Sequence, residues 1–226
     1  MITAKRVTLF CGHYGSGKTN LAVNYAFWLK EQGFPTVIAD LDIVNPYFRT
    51  KDSKAELETA GIELISPQFA NSNVDLPALP QQVYGALQQK NRYAVLDVGG
   101  DDRGALAMGR YTPFLLEEKN YEMLFVANFF RPLTPTAEDA LEVMREVEAA
   151  AGLSCTAIVN NSNLAHATTP EDVLASAEKA EELSRLSSLP VKMTSVEKSL
   201  LPLLKGKLPD LFAMNLQKKY FDIKEI

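Results

Sequence analysis

The chain has 226 residues, 46% of them hydrophobic, and a formal net charge of −5 at pH 7. That size supports one sizeable α/β core, and the acidic balance argues against a nucleic-acid binder that works by bulk charge. Its two cysteines, Cys11 and Cys155, form no CxxC pair, which speaks against a disulfide framework or zinc knuckle and suits a reducing cytoplasm.

Short apolar runs alternate with helical patterns along the chain. "RVTLF" (6–10) reads as a first strand running into a glycine loop, not as a signal peptide. Leu21, Ala22, Tyr25, Ala26 and Leu29 then mark one helical face, with Gly33 as its stop. "TVIAD" (36–40) and "IELIS" (62–66) read as strands, and a helix from about 79 to 90 leads to "YAVLDVGG" (93–100). "EMLFVANFF" (122–130) is a further strand, and 134–152 is a helix with Thr, Pro and acids at its start and Gly at its end. "CTAIVNN" (155–161), a helix over about 170–186 and "VKMTSV" (191–196) complete the series. Leu208, Leu211, Phe212, Leu216 and Tyr220 stand at roughly helical spacing, so 201–226 is expected as a C-terminal helical segment. No apolar run approaches the roughly 18 residues of a membrane span, and no repeat or linker divides the chain. The expectation is one domain over 1–226, a three-layer α/β fold with a mostly parallel sheet of about seven strands and helices on both faces. Its ligand edge is the C-terminal edge of the sheet.

"GHYGSGKT" (12–19) fits G-x-x-x-x-G-K-[ST] between a strand and a helix, the setting a phosphate-binding loop requires. Glycines let backbone N–H groups turn inward around phosphate oxygens, and the following helix presents its N-terminus to the same anion. The nucleotide-contacting set is Gly12, His13, Tyr14, Gly15, Ser16, Gly17, Lys18, Thr19 and Asn20. Lys18 is expected at the β- and γ-phosphates and Thr19 on Mg²⁺. Asp40 and Asp42 end the second strand, and Asp97 ends the fourth. Such acids hold Mg²⁺ or its water, and Gly100 can offer its N–H to the γ-phosphate. Asp101 and Asp102 read as solvated loop acids. Cys11 reads as a buried strand cysteine.

With these motifs the chain, over about residues 5 to 200, resembles the MinD/ParA-like P-loop ATPases of the CobQ/CobB/MinD/ParA superfamily, relatives of nitrogenase iron protein and arsenite-pump ATPase. The resemblance implies that Asp42 positions the attacking water and that Asp40 lies near the metal. It also implies seven or eight parallel strands and dimers with nucleotide at the interface. One departure stands out. The family's loop reads G-K-G-G-x-G-K-[ST], and its first lysine reaches across the dimer; here that position is His13. Loops without this lysine occur in signal-recognition GTPases, metallochaperone GTPases and dethiobiotin synthetase.

After the sixth strand, where this superfamily contacts the base, GTPases carry N-K-x-D. The tetrad here is Asn160, Asn161, Ser162 and Asn163. An amide in the last place cannot supply two acceptors to guanine, whereas Asn160 or Asn161 could pair with adenine. The expected function is therefore a Mg²⁺-dependent ATP/ADP-binding protein, a slow ATPase switching a protein partner, with Lys18 and Asp42 catalytic. The alternative is a small-molecule ligase or kinase resembling dethiobiotin synthetase, using Asp42, Arg49 or Arg131 for a second substrate. Nothing points to nucleic acid or a membrane as partner.

Overall fold

The computed structural model describes residues 2–42, 53–66, 81–100 and 102–216. The segment 45–50 with Arg49, the loop acid Asp101 and the last expected helical position, Tyr220, lie outside them.

Each apolar run becomes a strand because it is covered on both faces. Val7–Cys11 (β1), Thr36–Leu41 (β2) and Ala157–Asn160 (β6) are buried throughout, and Tyr93–Val98 (β4) and Tyr121–Ala127 (β5) at all but their first residue. Glu63–Ile65 (β3), Val191–Glu197 (β7) and Leu211–Met214 (β8) complete one eight-stranded sheet, in the order β3-β2-β4-β1-β5-β6-β7-β8. Every pairing is parallel.

The helices are Lys18–Glu31 (α1), Lys54–Thr59 (α2), Gln81–Gln88 (α3), Asp102–Gly109 (α4), Thr112–Glu118 (α5), Ala137–Ala151 (α6), Pro170–Ser187 (α7) and Leu201–Leu204 (α8). The expected signals mark their ends. Thr136 caps α6 by accepting from Asp139 N, and Gly152 closes it in the left-handed region at φ 60°. Two apolar layers flank the sheet. Phe10, Ile38, Val95 and Leu124 meet Leu21, Tyr25 and Leu29 of α1 and Leu57 of α2 on one face. Val7, Leu9, Leu96 and Phe125 meet Val83 of α3, Met108 of α4, Leu115 of α5, Met144 of α6 and Leu183 of α7 on the other.

The C-terminal helical reading is corrected. Residues 211–214 form β8, added in parallel beside β7. Its exposure alternates, with Phe212 and Met214 buried and Leu211 and Ala213 half-buried, which is the period of a strand. Phe212 packs on Tyr25 and Trp28 of α1, with ring centroids 6.0 and 6.3 Å apart. Burying that ring against α1 offsets the ordering of the last strand. The sheet accordingly has eight strands, within the seven or eight that the resemblance implied.

Because all strands run one way, their C-terminal ends share one edge. From β1 the chain leaves along α1 on one face, whereas β4 and β5 lead into α4–α6 on the other. A crevice therefore opens at the C-terminal end of central β1, the position where such sheets take ligands.

Candidate functional site

The crevice is floored by the glycine loop. Gly12, Gly15 and Gly17 have φ of 138°, 79° and 89°, values that L side chains rarely adopt. Space adds a second constraint. A Cβ on Gly12 would lie 2.7 Å from Val126 O of β5, and one on Gly17 would collide with Asn161 Nδ2. Within the loop His13 O accepts from Ser16 N at 3.2 Å and from Lys18 Nζ at 3.0 Å. The His13 ring turns back on its own loop, with Nδ1 2.8 Å from Tyr14 O, while the Tyr14 side chain is exposed. Ser16 Oγ is buried without a hydrogen-bond partner in the protein.

The strands beside β1 bring the acids to this loop. Asp40 on β2 and Asp97 on β4 are register partners, and Asp42 follows, its N–H donating to Asp40 Oδ1 at 3.0 Å. All three are buried. The loop after β4 touches both neighbours. A Cβ on Gly99 would lie 3.4 Å from Asp42 Oδ1. One on Gly100 would lie 2.7 Å from both Lys18 Nζ and Tyr14 N. Gly104 in the first turns of α4 packs directly on the Gly99 backbone, so only glycine fits there. Sequence reading found Gly100 but missed this Gly99–Gly104 contact, for which "GGDDRG" was the available signal. Lys18, Gly100, Asp40, Asp42 and Asp97 thus converge at one end of the loop, with Thr19 in the first turn of α1.

Other expected contacts point elsewhere. Asn20 Nδ2 lies 3.6 Å from Met214 Sδ on β8. Asn161 Nδ2 donates to Ser16 O at 2.7 Å, and its Oδ1 accepts from Ser195 Oγ. Asn161 is therefore a brace between the loop and β7. Asn160 Nδ2 donates to Ser176 Oγ of α7 at 2.9 Å, and Asn160 Oδ1 accepts from Ser162 N at 3.2 Å. Both amides that the sequence assigned to the base are thus engaged within the protein. Asn163 Nδ2 donates to Asn161 O at 2.9 Å, and its Oδ1 accepts from Ala165 N at 3.2 Å.

The cradle fits a polyphosphate. It has inward-turning glycines, a lysine at the start of a helix and an orphaned buried hydroxyl, Ser16 Oγ. For Mg²⁺ the donors at hand are Thr19 Oγ1 and the carboxylates of Asp40 and Asp97. Oxygen donors of this kind, completed by phosphate oxygens and water, are what that ion takes. Among the described residues no group of three or more His, Cys, Asp or Glu is arranged to hold a metal by itself. No helix among them is long and apolar enough to cross a membrane.

Fold and loop together define a P-loop NTPase fold. No protein-family model and no curated protein matches the sequence. Solved structures do match in fold. The cell division protein FtsY of Thermotoga maritima superposes with a TM-score of 0.57 at 18% identity, over 84% of this chain and 61% of that one. Chloroplast FtsY of Physcomitrella patens gives 0.58 at 19%, over 85% and 58%. The signal recognition particle 54 kDa protein of Aeropyrum pernix K1, in complex with GDP, gives 0.55 at 16%, over 85% and 41%. This chain spans about three fifths or less of those proteins' length. The likeness is one of fold and does not single out the MinD/ParA branch.

Proposed function

We propose that the chain is a Mg²⁺-dependent ATP-binding protein and slow ATPase that switches a protein partner. The observation that carries this reading is the contact of the β4 loop with the phosphate loop: Gly100 stands against both Lys18 Nζ and Tyr14 N. A γ-phosphate on Lys18 would have to be accommodated at Gly100. The loop after β4 and its attached helix α4 would then sense whether that phosphate is present. Mg²⁺, when bound, neutralises charge across the β- and γ-phosphates. Lys18 would hold the same oxygens, and Thr19, Asp40 and Asp97 would hold the metal or its water. Asp42 would orient the water that attacks the γ-phosphorus, with ADP and phosphate as products. Tyr14, Leu133 and Leu164, on loops that follow β1, β5 and β6, and Leu106 on α4 are exposed and would give a protein partner apolar contacts.

Adenine is preferred because the tetrad ends in Asn163, where guanine recognition needs an acid. With Asn160 and Asn161 engaged internally, they set the shape of the base end and do not themselves pair with the base. The structural neighbours crystallised with GDP give the competing reading, GTP. This chain's likeness in fold to FtsY and the signal recognition particle protein supports the switch over the ligase.

The test is hydrolysis by the purified chain with Mg-ATP. Asp42→Asn should keep nucleotide binding and lose about 10²- to 10⁴-fold in turnover, the usual effect of removing a positioned catalytic group. His13→Ala should change turnover by less than about tenfold, under about 1.4 kcal/mol, because its ring folds onto its own loop. Equal turnover in Asp42→Asn and the parent would remove Asp42 from the mechanism.

A further inference from the structure

The phosphate loop has two flanks, since β1 lies between β4 and β5 in the sheet. Lys18, Gly100 and Asp97 occupy the β4 flank. The loop after β5 occupies the other, and it is tied down firmly. Buried Asn128 accepts at its Oδ1 from Phe130 N at 3.1 Å and at its carbonyl from Thr134 Oγ1 at 2.8 Å. Phe129 N donates to Ser162 Oγ at 3.0 Å, and Arg131 N to Asn128 O at 3.2 Å. This turn carries Arg131 onto the phosphate loop. A Cβ on Gly15 would lie 3.7 Å from Arg131 Nε and 3.9 Å from its Cδ and Cζ. Among the described residues Arg131 forms no ion pair.

From this placement we propose that Arg131 is a second phosphate-binding cation of the cradle, supplied by the same chain. It binds on the flank away from the γ-phosphate, at the α- and β-phosphates, and rests on the nucleotide-binding reading above. Three observations converge. A guanidinium lies over the one loop glycine that leaves room for a side chain's reach. The turn beneath it is fixed by hydrogen bonds of its own. The loop's other variable cation position is held by His13, whose ring bonds to Tyr14 O. A planar guanidinium suits phosphate oxygens better than a point charge does. Because Arg131 approaches from the β5 side, where Ser162 and Asn161 lead towards the nucleoside end, its contact should be common to di- and triphosphate. Lys18 on the β4 side would discriminate between them.

Titration calorimetry with Mg-ADP and Mg-ATP on the parent chain, Arg131→Ala and Arg131→Lys tests this. Arg131→Ala should weaken both nucleotides by the same factor, about tenfold or more, the usual loss for a hydrogen bond to a charged group. Arg131→Lys should recover part of that loss. The exposed side chain predicts an unchanged melting temperature without nucleotide, which separates lost binding from lost folding. Unchanged affinities in Arg131→Ala, or a loss confined to ATP, would overturn the assignment. A parent chain that binds neither nucleotide would overturn the cradle itself, and this inference with it.

Discussion

Gly17 carries two constraints at once: a φ of 89° and the Asn161 amide in the space a side chain would need. Gly17→Ala should therefore cost about 1–3 kcal/mol of stability, the range for a residue forced into a sparse backbone region. Urea unfolding would measure it; a loss below about 0.5 kcal/mol, no more than that of an ordinary surface substitution, would show the loop to be more yielding. The cysteines are legible in a different way. Cys11 and Cys155 lie with Sγ atoms 3.8 Å apart, both buried. The hydrogen bond to Cys11, and then burial, push the Cys155 thiol well above its ordinary range. A raised pKa keeps the thiol protonated at neutral pH, and the thiolate is the reactive form. Alkylation of the native chain at about pH 8, near a free thiol's pKa, should be far slower than after unfolding; equal rates would contradict this burial. That Lys18, Asp40, Asp42 and Asp97 come together at the loop was legible because each stands in its own short motif at or just after the C-terminal end of a strand. Asn161 was not legible as a brace. Its partners, Ser16 and Ser195, lie 145 and 34 residues away, and a local polar tetrad resembles a base reader until those partners are in place.

At the scale of elements, helix ends were the most readable features. Thr169 and Asp172 form a reciprocal capping box at the start of α7, written in the sequence as Thr-Pro-Glu-Asp. Thr169→Ala should cost about 1 kcal/mol. Hydrogen bonds from the Thr169 backbone and hydroxyl hold the Asp172 carboxyl below its ordinary range. A depressed carboxyl stabilises the fold above its unfolded pKa of about 3.9 and ceases to as pH falls through its lower folded value. The stability gap between the parent and Asp172→Asn should thus close in acid, as read by urea midpoints across pH; a gap independent of pH would remove the charge from the account. β8 illustrates the opposite case. Four residues are too few to separate a period of two from helical spacing, and Phe212 and Leu216, four residues apart, fit both. The deciding contact, Phe212 on Tyr25 and Trp28, joins residues far apart in the chain.

At the scale of the molecule, the alternation of buried strands and helices made a parallel α/β sheet readable, because strands covered on both faces need no alternation of their own. The order of the strands was not readable. Nothing local says that β1 lies between β4 and β5, yet this places Lys18 and Gly100 on one flank of the loop and Arg131 on the other. The eight-stranded sheet thus acts as the ruler that sets the spacing of the site. The central claim is that this edge holds a nucleoside polyphosphate. Thermal unfolding with and without Mg-ATP, on the parent and on Lys18→Ala, tests it most directly. A ligand at about 100 times its dissociation constant adds about 2.7 kcal/mol to the folded state. The parent should melt several degrees higher with nucleotide, and Lys18→Ala should lose most of that rise. An identical melting curve for the parent with and without millimolar nucleotide would contradict the account.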